Sequence, residues 1–144
     1  MNDFFINEIV SLKKDLQTSF NCEFDEFNLK SSEIKLIHIL SKSKGESQAE
    51  LAKKLDCDKS HIHRIVIKLL MKKVICISKE KQAQSRKIQI LLTSFGKEIA
   101  EKINKKLKEW KSKLIEGISI KDIDTIKNVF HQISENLKKE KNNA

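Results

Sequence analysis

Apolar residues along this chain recur first at helical spacing, then at alternate positions, then at helical spacing again. From residue 4 to 20 they fall at Phe5, Ile9, Leu12, Leu16 and Phe20, one stripe of an amphipathic helix. Residues 21–28 read as a connection, with Phe24 and Phe27 available to pack. Ser31 or Ser32 can cap a short helix through Leu40 that buries Ile34, Ile37 and Leu40, and the stretch from Lys42 to Gly45 breaks it. Ser47 followed by Glu50 has the spacing of a capping box, opening a helix from Gln48 to Leu55 with Leu51, Ala52 and Leu55 inward. Asp56-Cys57-Asp58 makes a tight connection, and Asp58 caps a helix from Lys59 to about Lys72 whose inward stripe is Ile62, Ile65, Val66 and Leu69.

From Val74 to Leu92 the period changes to two. Val74 to Ile77 is β-prone, and Ile88, Ile90 and Leu92 alternate with Lys87, Gln89 and Leu91. The polar stretch from Ser78 to Ser85 reads as the tip of a two-stranded ribbon. Thr93 then caps a long helix with the stripe Ile99, Ile103, Leu107, Trp110 and Leu114. Ser119 and Asp122 open a last helix carrying Ile123, Ile126, Phe130, Ile133 and Leu137, and Lys138 onward reads as a charged, frayed tail. A short capped helix, a three-residue turn, a second basic helix and a ribbon form a winged helix-turn-helix pattern. The predicted fold is mainly α, an α+β winged helix with a two-stranded wing.

The totals agree. At 144 residues, 39% hydrophobic and 34% charged, with no proline and three glycines, the chain suits one helix-rich domain, or a small module whose helices need a partner. No apolar run approaches the roughly 18 residues of a membrane span, and the first residues lack the pattern of a signal peptide. Cys22, Cys57 and Cys76 are odd in number and widely spaced, which points to a reducing, cytoplasmic setting.

Charge changes the picture most. Of a formal net charge of +9, the segment from Lys59 to Lys87 carries +8, because its only acid is Glu80. A field this local suits a polyanion, since each phosphate neutralised releases condensed counterions. The plain alternative is a solvated lysine-rich helix face. On a groove-docked helix the N-terminal residues reach base edges and their neighbours clamp phosphates, which assigns Ser60, His61 and His63 to bases and Arg64 and Lys68 to the backbone, with Lys59 beside them in the DNA-binding set. Ser47 and Gln48, at the start of the preceding helix, and Lys79, Lys81, Ser85, Arg86 and Lys87 of the wing complete the candidate DNA-binding set. Arg86 is the residue expected at a minor groove; otherwise it is an exposed arginine on a hairpin.

Other chemistry is sparse. His61 and His63 stand two apart on a helix and do not share a face, so no metal site is expected there, and His38 and His131 read as ordinary packed or surface histidines. Cys57, in the turn, reads as buried and inert, Cys76 could lie on the outer face of its strand, and Cys22 beside Glu23 is poorly placed to form a thiolate. No glycine-rich phosphate loop, Gly-x-Ser-x-Gly or His-Glu-x-x-His occurs, so no catalytic residue, cofactor or enzymatic activity is expected.

From Leu29 to about Leu137 the chain resembles the MarR family of winged-helix transcriptional regulators. The residues carrying this are Ala49-Glu50-Leu51-Ala52-Lys53-Lys54-Leu55, Asp58-Lys59-Ser60 through Arg64, Leu69, and Arg86 followed by Leu92-Thr93 and Gly96, with Ser119-Ile120 before the last helix. Two positions depart from the family pattern. Lys73 stands where glycine often follows the recognition helix, and Gln84 where the wing usually carries aspartate. The resemblance implies a homodimer built from the first helix and the two C-terminal helices, bound to a pseudo-palindromic operator in double-stranded DNA. It also implies control by an effector, often a small aromatic anion or an oxidant. The expected division is residues 1–28 for dimerisation, 29–93 for the DNA-binding lobe and 94–144 for dimerisation. The expected function is a sequence-specific regulator, a repressor; the rival reading is a winged-helix protein-interaction module that does not bind DNA.

Overall fold

The computed structural model describes residues 3–82 and 85–143, with side chains described outside positions 3–4 and 80–87. The elements run α1 (Asp3–Glu23), a 3-10 turn (Asp25–Phe27), α2 (Ser31–Ser41), α3 (Gln48–Leu55), α4 (Lys59–Met71), β1 (Ile75–Gln82), β2 (Ser85–Leu92), α5 (Ser94–Leu114) and α6 (Ile120–Asn143). Residues 1–108 form one compact unit and residues 109–144 a second.

The core of the first unit is drawn chiefly from α2, α3, α4, β2 and α5. Ile34, Leu36 and Ile37 of α2, Leu51 of α3, Ile62 and Leu69 of α4, Ile90 of β2 and Ile103 of α5 are all at most 1% exposed. Phe24 is also buried; its ring lies 4.4 Å from that of Phe20 and 6.0 Å from that of Phe27, so the aromatics of the connection pin it to α1. The inward stripe expected for α4, Ile62, Ile65, Val66 and Leu69, is the one observed.

Several boundaries differ from expectation, each for a local reason. The N-cap of α2 is Lys30 rather than Ser31 or Ser32, because the Glu33 carboxylate reaches back to accept the Lys30 N–H at 3.0 Å. The ribbon is longer than expected: its ladder runs antiparallel from Ile75↔Leu92 to Gln82↔Ser85, so the segment from Ser78 to Gln82 is strand and not tip. Polar residues hid this, since a run of polar residues has no apolar alternation to read. Glu46 adds a third, one-residue strand, donating its N–H to the Ile90 carbonyl at 3.1 Å and accepting the Ile90 N–H at 2.7 Å. Lys138 onward is helical through Asn143. The Lys138–Glu135 pair, at 3.1 Å, supports that last stretch.

Helices α1 and α6 keep apolar residues in solvent. In α1 Phe20 is buried, but Phe5 and Leu12 are 42% and 52% exposed; Ile6 and Val10, off the expected stripe, are more so. No described residue of α6 is buried, and Ile126, Val129 and Phe130 are each more than 40% exposed.

Candidate nucleic-acid interface

The turn between α3 and α4 is built by backbone chemistry that short polar residues supply. Ser47 Oγ accepts the Glu50 N–H at 3.1 Å while Glu50 accepts the Ser47 N–H at 3.0 Å, so the expected capping box forms. Asp56 ends α3 in the left-handed region (φ +51°), and Cys57 donates its N–H back to the Ala52 carbonyl at 3.0 Å. Asp58 then caps α4: its Oδ1 accepts the His61 N–H and the Ser60 hydroxyl, each at 2.8 Å. Those two bonds, with the nearby His61 and Arg64 charges, hold the Asp58 carboxyl below the usual range.

Because the stripe from Ile62 to Leu69 points inward, the opposite face of α4 is left to solvent. Lys59, Ser60, His63, Arg64, Ile67 and Lys68 are all exposed on it. His61 is different. It is half-buried and lines a notch of about 300 Å³ together with Lys30, Ser32, Glu33, Arg64, Ile65 and Lys68. Ser47 and Gln48 are half-buried at the start of α3, and Lys79 is exposed on β1. Lys81 and Arg86 are register partners across the ribbon. The side chains of Lys81, Ser85, Arg86 and Lys87, and all of Gln84, lie outside the described residues.

The end of α4 is locked to the wing and to α5. Lys73 adopts φ +60°, the conformation a glycine would take more easily, and the Val74 and Lys73 N–H groups donate to the Leu69 and Leu70 carbonyls, both at 3.0 Å. The Thr93 hydroxyl donates to the Lys73 carbonyl at 2.6 Å, and its oxygen accepts the Gly96 N–H at 2.9 Å, giving the expected cap of α5. A side chain at position 96 would run into the Val74 carbonyl, so only glycine lets α5 start this close to the wing.

Two buried carboxylates went unnoticed in the sequence. Glu33 is 2% exposed; Lys72 Nζ lies 3.6 Å from it, at the far end of α4. Glu46, 5% exposed, pairs with Lys54 of α3, so one residue ties α3 to the wing through its backbone and its side chain together. Their ion-pair partners, Lys72 and Lys54, lie in other elements and leave no local signature. Lys30 and Ser32 line the notch with Arg64 only because folding brings the start of α2 beside α4.

The remaining candidates are unremarkable. Cys57 is half-buried rather than buried, and desolvation, then Asp58 and Asp56, push its thiol upward, away from the reactive thiolate. Cys22 and Cys76 are exposed free thiols. His38 Nδ1 lies 2.7 Å from Asn104 Oδ1, and Asn104 donates to Ser41 Oγ at 3.0 Å, a polar bridge from α2 to α5. Among the described residues no group of three or more His, Cys, Asp or Glu could hold a metal ion, and no helix is long and apolar enough to cross a membrane.

No family model matches the sequence, and no curated protein is significantly similar to it. Solved structures are. A MarR/EmrR family transcriptional regulator from Acinetobacter sp. ADP1 superposes with a TM-score of 0.82 at 22% identity, covering 96% of this chain and 99% of that one. Staphylococcus aureus MepR, solved as a DNA complex, gives 0.80 at 17% identity over 94% of this chain and 96% of its own. Staphylococcus aureus MarR, in complex with salicylate and kanamycin, gives 0.77 at 17% identity over 94% and 91%. The chain has the winged-helix fold of the MarR-family transcriptional regulators.

Proposed function

We propose that this protein is a dimeric, sequence-specific DNA-binding transcriptional regulator of the MarR type, acting as a repressor. The observation that carries the reading is the outer face of α4, where Lys59, Ser60, His63, Arg64 and Lys68 are exposed opposite a fully apolar buried stripe. That face is cationic, convex and one helix wide, which suits a major groove. Ser60 and His63 are placed for base edges and Lys59, Arg64 and Lys68 for phosphates, with Lys79 extending the cationic surface onto the wing. A neighbour of the same fold was solved on DNA, which supports the assignment.

A homodimer accounts for the apolar residues that α1 and α6 leave in water. Exposed Phe5, Ile6, Val10 and Leu12 of α1, and separately Ile126, Val129 and Phe130 of α6, are apolar faces of the kind that dimerisation would cover. A two-fold pair would present its α4 helices to successive major grooves, ~34 Å apart.

For the effector, an open cleft of about 800 Å³ in the first unit is lined by Phe20 and Phe24 and by Lys30, Lys68 and Lys72 against Asp25 and Glu33, aromatic rings beside an excess of one positive charge that suit a small aromatic anion. The Staphylococcus aureus MarR neighbour was solved with salicylate.

The test combines sedimentation with DNA titration. A dimer is expected in solution, and Arg64→Ala should weaken binding and make log affinity less steep against log salt by ~0.9. A protein that ignores random duplex DNA at low salt would instead fit a protein-interaction module.

A further inference from the structure

The winged-helix unit alone would place DNA contacts on α3, α4 and the wing. The notch beside α4 extends that set. One wall is His61, Arg64, Ile65 and Lys68 of α4, and the other is Lys30, Ser32 and Glu33 at the start of α2. Lys30, Arg64 and Lys68 are exposed and, among the described residues, make no ion pair. Three cations from two elements therefore converge on about 300 Å³, against Glu33 in the lining and the Asp58 carboxylate, whose field reaches Arg64. Glu33 does not cancel the site. Its carboxylate is buried, and one oxygen, Oε2, accepts the Lys30 N–H at 3.0 Å and lies 3.6 Å from Lys72 Nζ. Ser32, half-buried, adds a hydroxyl donor, and His61 adds ring nitrogens.

Resting on the DNA-binding reading, we infer that this notch is a phosphodiester clamp. A backbone phosphate flanking the groove that α4 enters is held between Lys30 and Ser32 on α2 and Arg64 and Lys68 on α4. His61 then serves the phosphate rather than a base edge. Arginine supplies a planar fork and the two lysines supply point charges, the combination expected for a phosphate approached from two sides. The contact is sequence-independent, so it fixes how deeply and at what angle α4 sits.

The experiment measures binding of the full-length protein to a random-sequence duplex across a salt series. Lys30→Gln should make the slope of log affinity against log salt shallower by ~0.9, the signature of one lost phosphate contact. Lys35→Gln removes an equal charge from an exposed position on α2 that does not line the notch, and should leave the slope at the wild-type value. Ser32→Asp, which puts a carboxylate in the notch, should weaken binding further than Lys30→Gln while leaving the thermal melt in place. A wild-type slope for Lys30→Gln, or an equal change in Lys35→Gln, overturns the clamp while leaving DNA binding intact. A wild-type protein that binds no duplex overturns both.

Discussion

Gly96→Ala tests whether the contact between α5 and the wing is as tight as the structure has it. The added methyl would stand 3.0 Å from the Val74 carbonyl carbon and 3.3 Å from Leu92 Cδ2, and closer still to the Val74 oxygen. That oxygen cannot swing aside, because it accepts the Thr93 N–H at 3.0 Å in the same junction. The start of α5 must therefore move away from the ribbon. Overpacking of this kind costs ~1–3 kcal/mol, and the better helix propensity of alanine returns up to ~1 kcal/mol. The net expectation is destabilisation by ~1–2 kcal/mol, or roughly 3–8 °C in Tm for a chain this size. Circular dichroism melts at one fixed protein concentration provide the measurement, since any dimerisation would make Tm concentration-dependent. A variant as stable as the wild type would mean that α5 and the wing do not approach this closely. The same variant should also weaken DNA binding if the wing is held in place from its base.

Other substitutions probe separate features. Lys73→Gly should stabilise the protein by ~0.5–1 kcal/mol, because φ +60° strains a lysine and not a glycine; a lower urea midpoint would refute this. Asp58 has a depressed folded pKa, so its contribution is complete above the unfolded value near ~3.9 and is lost as pH falls through the lower folded value. Asp58→Asn keeps an N-cap oxygen and should flatten that part of the acid-unfolding curve without moving neutral-pH stability; an unchanged acid limb would count against the cap. Salicylate at millimolar concentration should lower duplex affinity by competing for Lys30 and Lys68, which the cleft and the notch share, and undiminished binding would remove the cleft as an effector site.

Much of the fold was legible because its signals are local. The Ser47–Glu50 box, the Asp58 cap, the Thr93 cap and the inward face of α4 all rest on residues within one or two helical turns. The length of the ribbon was not, since the polar run from Ser78 to Ser85 leaves no apolar alternation. The α2 cap was misplaced because the deciding group is a glutamate reaching backwards, not the serines that sequence statistics favour. At the interface, the exposed face of α4 followed from its buried face by elimination. The Lys30 side of the notch could not be read that way, because it depends on how α2 crosses α4. Lys73 shows a different limit: a non-glycine residue in the left-handed region is tolerated where two backbone hydrogen bonds and a threonine hydroxyl hold it.

The central claim is that paired cationic α4 faces read duplex DNA. Selection of bound duplexes from a random pool, with the full-length protein at near-physiological salt, tests it most directly. The expected result is enrichment of a pseudo-palindrome with half-sites ~10 bp apart, bound at least ~10³-fold more tightly than random duplex. A pool that stays unenriched after repeated rounds, with retention no better than that of an acidic control protein, would contradict it.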